Sequence, residues 1–137
     1  MERVYTTPRL DKLGIRPGAR VAVVGPLEVA DPEFDAELRD RTADVTRGEP
    51  APETDVVLLP AESTADLAPD RLRSLAAALK ANGAIWVVTR KGKAATLRDV
   101  EVIACARAAD LVDNKVASFS ATHTALRLVI PVALRGR

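Results

Sequence analysis

Aromatic side chains are nearly missing from this 137-residue chain, which holds two Phe, one Trp and one Tyr. Its core must therefore be built from Val, Leu, Ile and Ala. Cysteine is scarcer still: the one thiol, Cys105, rules out an internal disulfide and any site made of several thiolates. Histidine also occurs once, and His123, with no partner cysteine and no acid paired near it in sequence, makes no metal motif. An excess of either charge is absent as well. Twenty basic and 19 acidic residues leave a formal +1, which argues against a dedicated electrostatic binder of nucleic acid or membrane but leaves room for a local basic loop. No apolar run reaches the roughly 18 residues needed to cross a bilayer. Met1 to Pro8 is polar and of mixed charge, without the hydrophobic segment of a signal peptide, so the expected location is cytoplasmic.

What is present alternates between strand and helix signals. Thr7-Pro8 is a helix start that buries Leu10 and Leu13, and Gly14 stops it. Residues 20–25 (RVAVVG) and 55–60 (DVVLLP) are continuous apolar runs, as expected of parallel strands covered on both faces. Between them, Asp31-Pro32-Glu33 starts a short helix with Phe34 and Leu38 inward, and residues 43–46 predict a weak strand. Only about eight residues follow before the next strand, too few for a helical crossover, so Gly48, Pro50 and Pro52 belong to a bare loop. Pro69 opens the strongest helix, with Leu72, Leu75, Ala76 and Leu79 on one face and Asn82-Gly83 as a left-handed cap. A third buried strand follows at residues 84–89 (AIWVVT). Thr96 and Asp99 have capping-box spacing and predict a helix with Val100, Ile103 and Ala104 inward. Residues 111–119 and 125–134 predict an antiparallel hairpin at the sheet edge. The sum is a single three-layer Rossmann-like α/β domain over residues 1–137, with a mostly parallel sheet of about five or six strands.

Leu13-Gly14-Ile15 with Pro17-Gly18 precedes the first strand. Gly83-Ala84-Ile85-Trp86 is followed by Lys91, and Leu111-Val112-Asp113-Asn114-Lys115-Val116 precedes Leu126-Arg127-Leu128-Val129. On these residues the chain resembles the bacterial domain of unknown function 3052, a reduced relative of the S-adenosylmethionine-dependent methyltransferase fold. The family name carries no activity. The resemblance implies S-adenosylmethionine as the cofactor, yet the turn after the first strand, Gly25-Pro26-Leu27-Glu28, holds one glycine where methyltransferases have a Gly-rich loop. Arg47-Gly48 stands where they usually place a ribose-binding acid. One strand unit of the larger fold is also missing. On those grounds no cofactor is expected.

In open parallel sheets ligands lie outside the carboxyl ends of the strands, which directs attention to four segments. Gly25 to Glu28 reads as a remnant cofactor loop, with Glu28 as a ligand acceptor, or as a plain turn. Glu62 and Ser63 follow the second clear strand, and Ser63 has capping-box spacing to Asp66, so it serves the backbone rather than acting as a nucleophile. Arg90, Lys91 and Lys93, with Arg98 nearby, form the densest basic cluster. A glycine within it and a helix start after it suit an anion or an acidic protein surface, whereas the plain alternative is a solvated loop. The cluster lacks aromatic residues for stacking bases, which weighs against nucleic acid. His123, in the hairpin loop, reads as a base near the cleft or as an ordinary hydrogen-bonded histidine. Asp113-Asn114-Lys115 falls at the opposite, amino edge, and Cys105 and Trp86 read as core. The expected function is a non-catalytic methyltransferase-like module binding a protein partner or a small anion. The alternatives are a divergent S-adenosylmethionine- or nucleotide-using enzyme, and a structural homodimer paired through an edge placed at the last strand.

Overall fold

The computed structural model describes residues 8–26 and 33–135. Six strands form one mixed sheet: β1 (Val21–Val23), β2 (Val45–Arg47), β3 (Thr54–Pro60), β4 (Leu79–Arg90), β5 (Val112–Ser118) and β6 (His123–Val129). Their spatial order is β2-β1-β3-β4-β6-β5. The first four run parallel to one another, while β6 is antiparallel to both β4 and β5.

Alternation along the strands divides the core in two. Val56, Leu58, Trp86 and Val88 face one way, where Leu10 of α1 (Arg9–Lys12) and Phe34 and Leu38 of α2 (Phe34–Arg41) cover them. Val57, Leu59, Ile85 and Val87 face the other way, under Leu72 and Leu75 of α3 (Pro69–Ala77) and Val102 and Ala106 of α4 (Asp99–Ala108). A strand covered on both faces has no solvent-facing positions to fill with polar residues, hence the unbroken apolar runs. Each fully buried Val, Leu or Ile here is worth about 1.5–3 kcal/mol. Trp86 joins the layers more specifically: its indole Nε1 donates to the carbonyl of Leu13 at 2.8 Å and fixes the segment after α1 onto the sheet.

Several expectations change. Thr7, Asp31 and Pro32 lie outside the described residues. Asn82-Gly83 does not cap α3, which ends at Ala77; both residues belong to β4, which bends against β3 where the pairing register shifts between Thr54 and Val56. Gly83 is needed for space, since a Cβ there would stand 2.9 Å from the Asp55 carbonyl and 3.1 Å from that of Thr54. The next helix is capped at Arg98, not Thr96: the Glu101 carboxylate accepts the Arg98 N–H at 2.9 Å, while the Arg98 side chain, which has no acceptor, makes no cap bond. The inward face of α4 is accordingly Val102 and Ala106, Ile103 is half-buried, and Ala104 and Val100 are exposed. The last strand is not an edge. β6 lies between β4 and β5, ends at Val129, and leaves β5 as the outer strand. Pairing of two copies through β6 therefore has no free edge to use.

Candidate functional site

From β1 the chain steps to β2 on one side, and from β3 it steps to β4 on the other, so the strand order reverses between β1 and β3. Such a switch point opens a crevice outside the carboxyl ends of the two strands, the usual ligand site of open α/β sheets. Gly25 follows β1 there with φ of 116°, a conformation costly for other residues, and a Cβ on it would meet Pro60 Cγ at 3.1 Å. The crevice that remains holds about 250 Å³ and is lined by Pro26, Pro60, Glu62, Asp66, Val88 and His123.

Its charged groups are largely engaged with one another. The Nε of Arg90 lies 2.9 and 3.0 Å from the two carboxylate oxygens of Glu62, an exposed ion pair worth about 0–1 kcal/mol. The Glu62 carbonyl accepts from the Thr96 hydroxyl at 2.6 Å, and the Glu62 N–H donates to Asp66 at 2.8 Å. Asp66 also accepts from the Ser63 N–H, closing the turn that starts the short 3-10 helix Thr64–Leu67. Ser63 is thus part of a backbone cap.

His123 is the first residue of β6 rather than part of the hairpin loop, and it stands opposite Arg90 in the sheet. It is buried, with Nδ1 placed 2.8 Å from the Thr122 hydroxyl. Burial, with help from the Arg90 and Lys91 charges and against that of Glu62, pushes its proton affinity below the ordinary value. A hydroxyl lies on its ring, and among the described residues no carboxylate bonds it.

The basic loop carries a second hollow, of about 450 Å³, between β4 and the start of α4. Arg90, Lys91 and Arg98 line it. Lys91 donates its N–H to the Thr122 carbonyl at 2.9 Å and its Nζ to the Ser118 hydroxyl at 2.7 Å. Lys93 is exposed on the 3-10 turn Gly92–Ala94 beside this hollow and makes no ion pair among the described residues. Glu28 lies outside the described residues. The structure therefore gathers Glu62, Arg90, Lys91 and His123 at one edge, with Gly25 packed against Pro60 beside them.

Of the turn that would hold S-adenosylmethionine, Leu27 and Glu28 lie outside the described residues. The crevice is smaller than the roughly 300–1,000 Å³ of small-molecule sites, with Pro60 packed against Gly25. At the end of β2, Arg47 is ion-paired to Asp35 of α2, so the nearby carboxylate is already taken. No group of three or more His, Cys, Asp or Glu among the described residues is arranged to hold a metal ion, and none of their helices is long and apolar enough to cross a membrane.

A larger hollow, of about 580 Å³, lies at the opposite, amino edge and includes Arg16, Arg127 and Arg135. Sequence reasoning missed it because it looked only where open sheets bind ligands. One signal was available: Arg127 interrupts an otherwise apolar run, Ala125-Leu126-Arg127-Leu128-Val129.

Residues 10–132 match the model of a family described as protein of unknown function DUF3052. No curated protein is matched. Among solved structures, the chain is similar to the O-methyltransferase NcsB1 of neocarzinostatin biosynthesis, in complex with S-adenosyl-L-homocysteine and 1,4-dihydroxy-2-naphthoic acid. That match has a TM-score of 0.56 and 17% identity, over 89% of this chain and 44% of that one. It is similar also to the pyocyanin biosynthetic protein PhzM, with a TM-score of 0.60 and 14% identity over 89% and 53% of the two chains. A third is a precorrin-6y C5,15-methyltransferase from Geobacter metallireducens, with a TM-score of 0.53 and 11% identity over 90% and 86%. At these identities the likeness shows the fold alone, and the chain spans about half the length of the first two.

Proposed function

The chain belongs to the DUF3052 family, and from that premise we propose that it is a cytoplasmic, non-catalytic module that holds a small anionic ligand, or an acidic protein surface, at the carboxyl edge of a methyltransferase-like sheet. The observation that carries this reading is the hollow at the start of α4, where Lys91 and Arg98 line the wall and Lys93 stands exposed alongside. A backbone glycine and a helix N-terminus at the same place favour negative charge. The Glu62–Arg90 pair, already engaged, supports binding over chemistry.

A second reading, methyl transfer with S-adenosylmethionine, draws on the fold shared with NcsB1 and on the glycine with φ of 116° after β1. Thermal unfolding separates the two. A ligand at about 100 times its dissociation constant adds about 2.7 kcal/mol, several degrees for a domain of this size. The anion reading expects a saturable rise with inorganic pyrophosphate in which the amides of residues 89–99 move; that movement is lost in the double variant Lys91→Ala/Lys93→Ala and strengthens in Glu62→Gln, which releases Arg90. A saturable rise with S-adenosylmethionine or S-adenosylhomocysteine would replace it with the enzyme reading.

A further inference from the structure

Most of the described arginines are matched to a carboxylate. Nine of those described are ion-paired: Arg9, Arg20, Arg39, Arg41, Arg47, Arg71, Arg73, Arg90 and Arg98. Arg16, Arg107, Arg127 and Arg135 take no part in these ion pairs, and three of the four line one hollow. That hollow lies beside the loop between α1 and β1 and the amino ends of β3 and β4. It is larger than either of the two at the carboxyl edge.

The charges there are concentrated rather than balanced. Arg127 is half-buried in β6, with Lys115 of β5 directly opposite it in the sheet, a like-charge pairing that costs stability. Among the described residues its guanidinium bonds only a neutral group, the Asn114 side-chain oxygen at 3.3 Å. Arg135 bonds the Ile130 carbonyl at 2.9 Å. Burial and the neighbouring Arg135 charge both press the Arg127 guanidinium towards losing its proton. The one acid in the wall, Asp55, is already committed: it accepts the Arg20 N–H at 2.8 Å and pairs with Lys80 at 3.1 Å.

We propose that this amino-edge hollow is a binding site for a small molecule bearing a phosphate or diphosphate group, held by Arg16, Arg127 and Arg135. Planar guanidinium forks match phosphoryl oxygens two at a time, and three of them with no free acid favour a multiply charged anion over a monocarboxylate. The volume of about 580 Å³ suits a small metabolite rather than a bare ion. The site is independent of the carboxyl-edge reading, at the other end of the sheet.

Inorganic pyrophosphate is the probe, titrated against sodium chloride of equal ionic strength, with thermal unfolding and amide chemical shifts read together. The expected result is a saturable rise in Tm beyond that of chloride, with the amides of Gly14, Gly18 and Asn82 moving. Affinity should fall about tenfold or more in both Arg16→Ala and Arg127→Gln and persist in Lys91→Ala/Lys93→Ala. Arg16 is exposed on a loop, so its variant folds even where the Arg127 variant does not. Three results would overturn the proposal: a wild-type response no larger than that of chloride, affinity unchanged in Arg16→Ala, or shifts confined to residues 89–99. The last would leave the carboxyl-edge site standing alone.

Discussion

Replacing Trp86 by Phe tests the contact that locks the segment after α1 onto the sheet and so shapes the amino-edge hollow. Trp86 is fully buried, and its indole N–H donates to the Leu13 carbonyl at 2.8 Å. Leu13 is itself only 1% exposed, so water cannot replace the lost donor without the segment moving. Leaving that carbonyl buried and unpaired costs about 1–3 kcal/mol. The space vacated by the smaller ring adds about 1 kcal/mol. For a chain of this length a kcal/mol moves Tm by roughly 3 °C, so the variant should melt about 6–12 °C lower in far-UV circular dichroism, with the transition still cooperative. The wild-type protein offers its own control. Trp86 is the one tryptophan, so its fluorescence should be that of a buried indole and resist aqueous quenchers until unfolding. A fall in Tm below about 3 °C, or ready quenching in the native protein, would mean that this segment is not docked as described.

Two further predictions concern the sheet and its histidine. Gly83→Ala forces a methyl to within 2.9 Å of the Asp55 carbonyl, and since the obstacle is backbone, overpacking should cost about 1–3 kcal/mol; a neutral or stabilising alanine in chemical denaturation would contradict the close approach. His123 binds its proton less readily when folded than its ordinary value of 6.5, so as pH falls the unfolded chain takes up the proton first. Its stabilising effect is complete above about pH 6.5 and declines as pH drops through the folded value, with a slope of at most about 1.4 kcal/mol per unit. Stability measured from pH 7.5 to 5 should show this decline in the wild type and lose it in His123→Gln; parallel curves would refute the buried, neutral imidazole.

Most of the architecture could be read from the chain. The apolar runs at residues 55–60 and 84–89 are unbroken because both faces of a central parallel strand are covered. Phe34, Leu38, Leu72 and Leu75 announced the inward faces of α2 and α3 through their helical spacing, and the structure buries all four. The short link after β2 was legible too, since chain length alone forbids a helix there. The order of strands and helices was enough to suggest the family to which the chain belongs.

Where the reading failed, distant contacts had overruled local preference. Asn82-Gly83 has the sequence of a helix cap, yet Gly83 is there because the carbonyls of Thr54 and Asp55 pass too close for a side chain, a fact of packing some 28 residues away along the chain. The phase of α4 slipped because the carboxylate that closes its first turn belongs to Glu101 rather than Asp99, and Val102 rather than Val100 is buried against the sheet. At the carboxyl edge the sequence listed the charged groups but not their pairing, so Arg90 looked free until Glu62 was found against it. The gathering of Arg16, Arg127 and Arg135 was wholly hidden, because those residues come from a loop, a strand and a terminal turn. Composition and periodicity determine which elements form and which faces they bury, because those are local properties of the chain. Which charges meet, and which are left without a partner, only the tertiary structure decides, because strand order brings together residues more than a hundred positions apart.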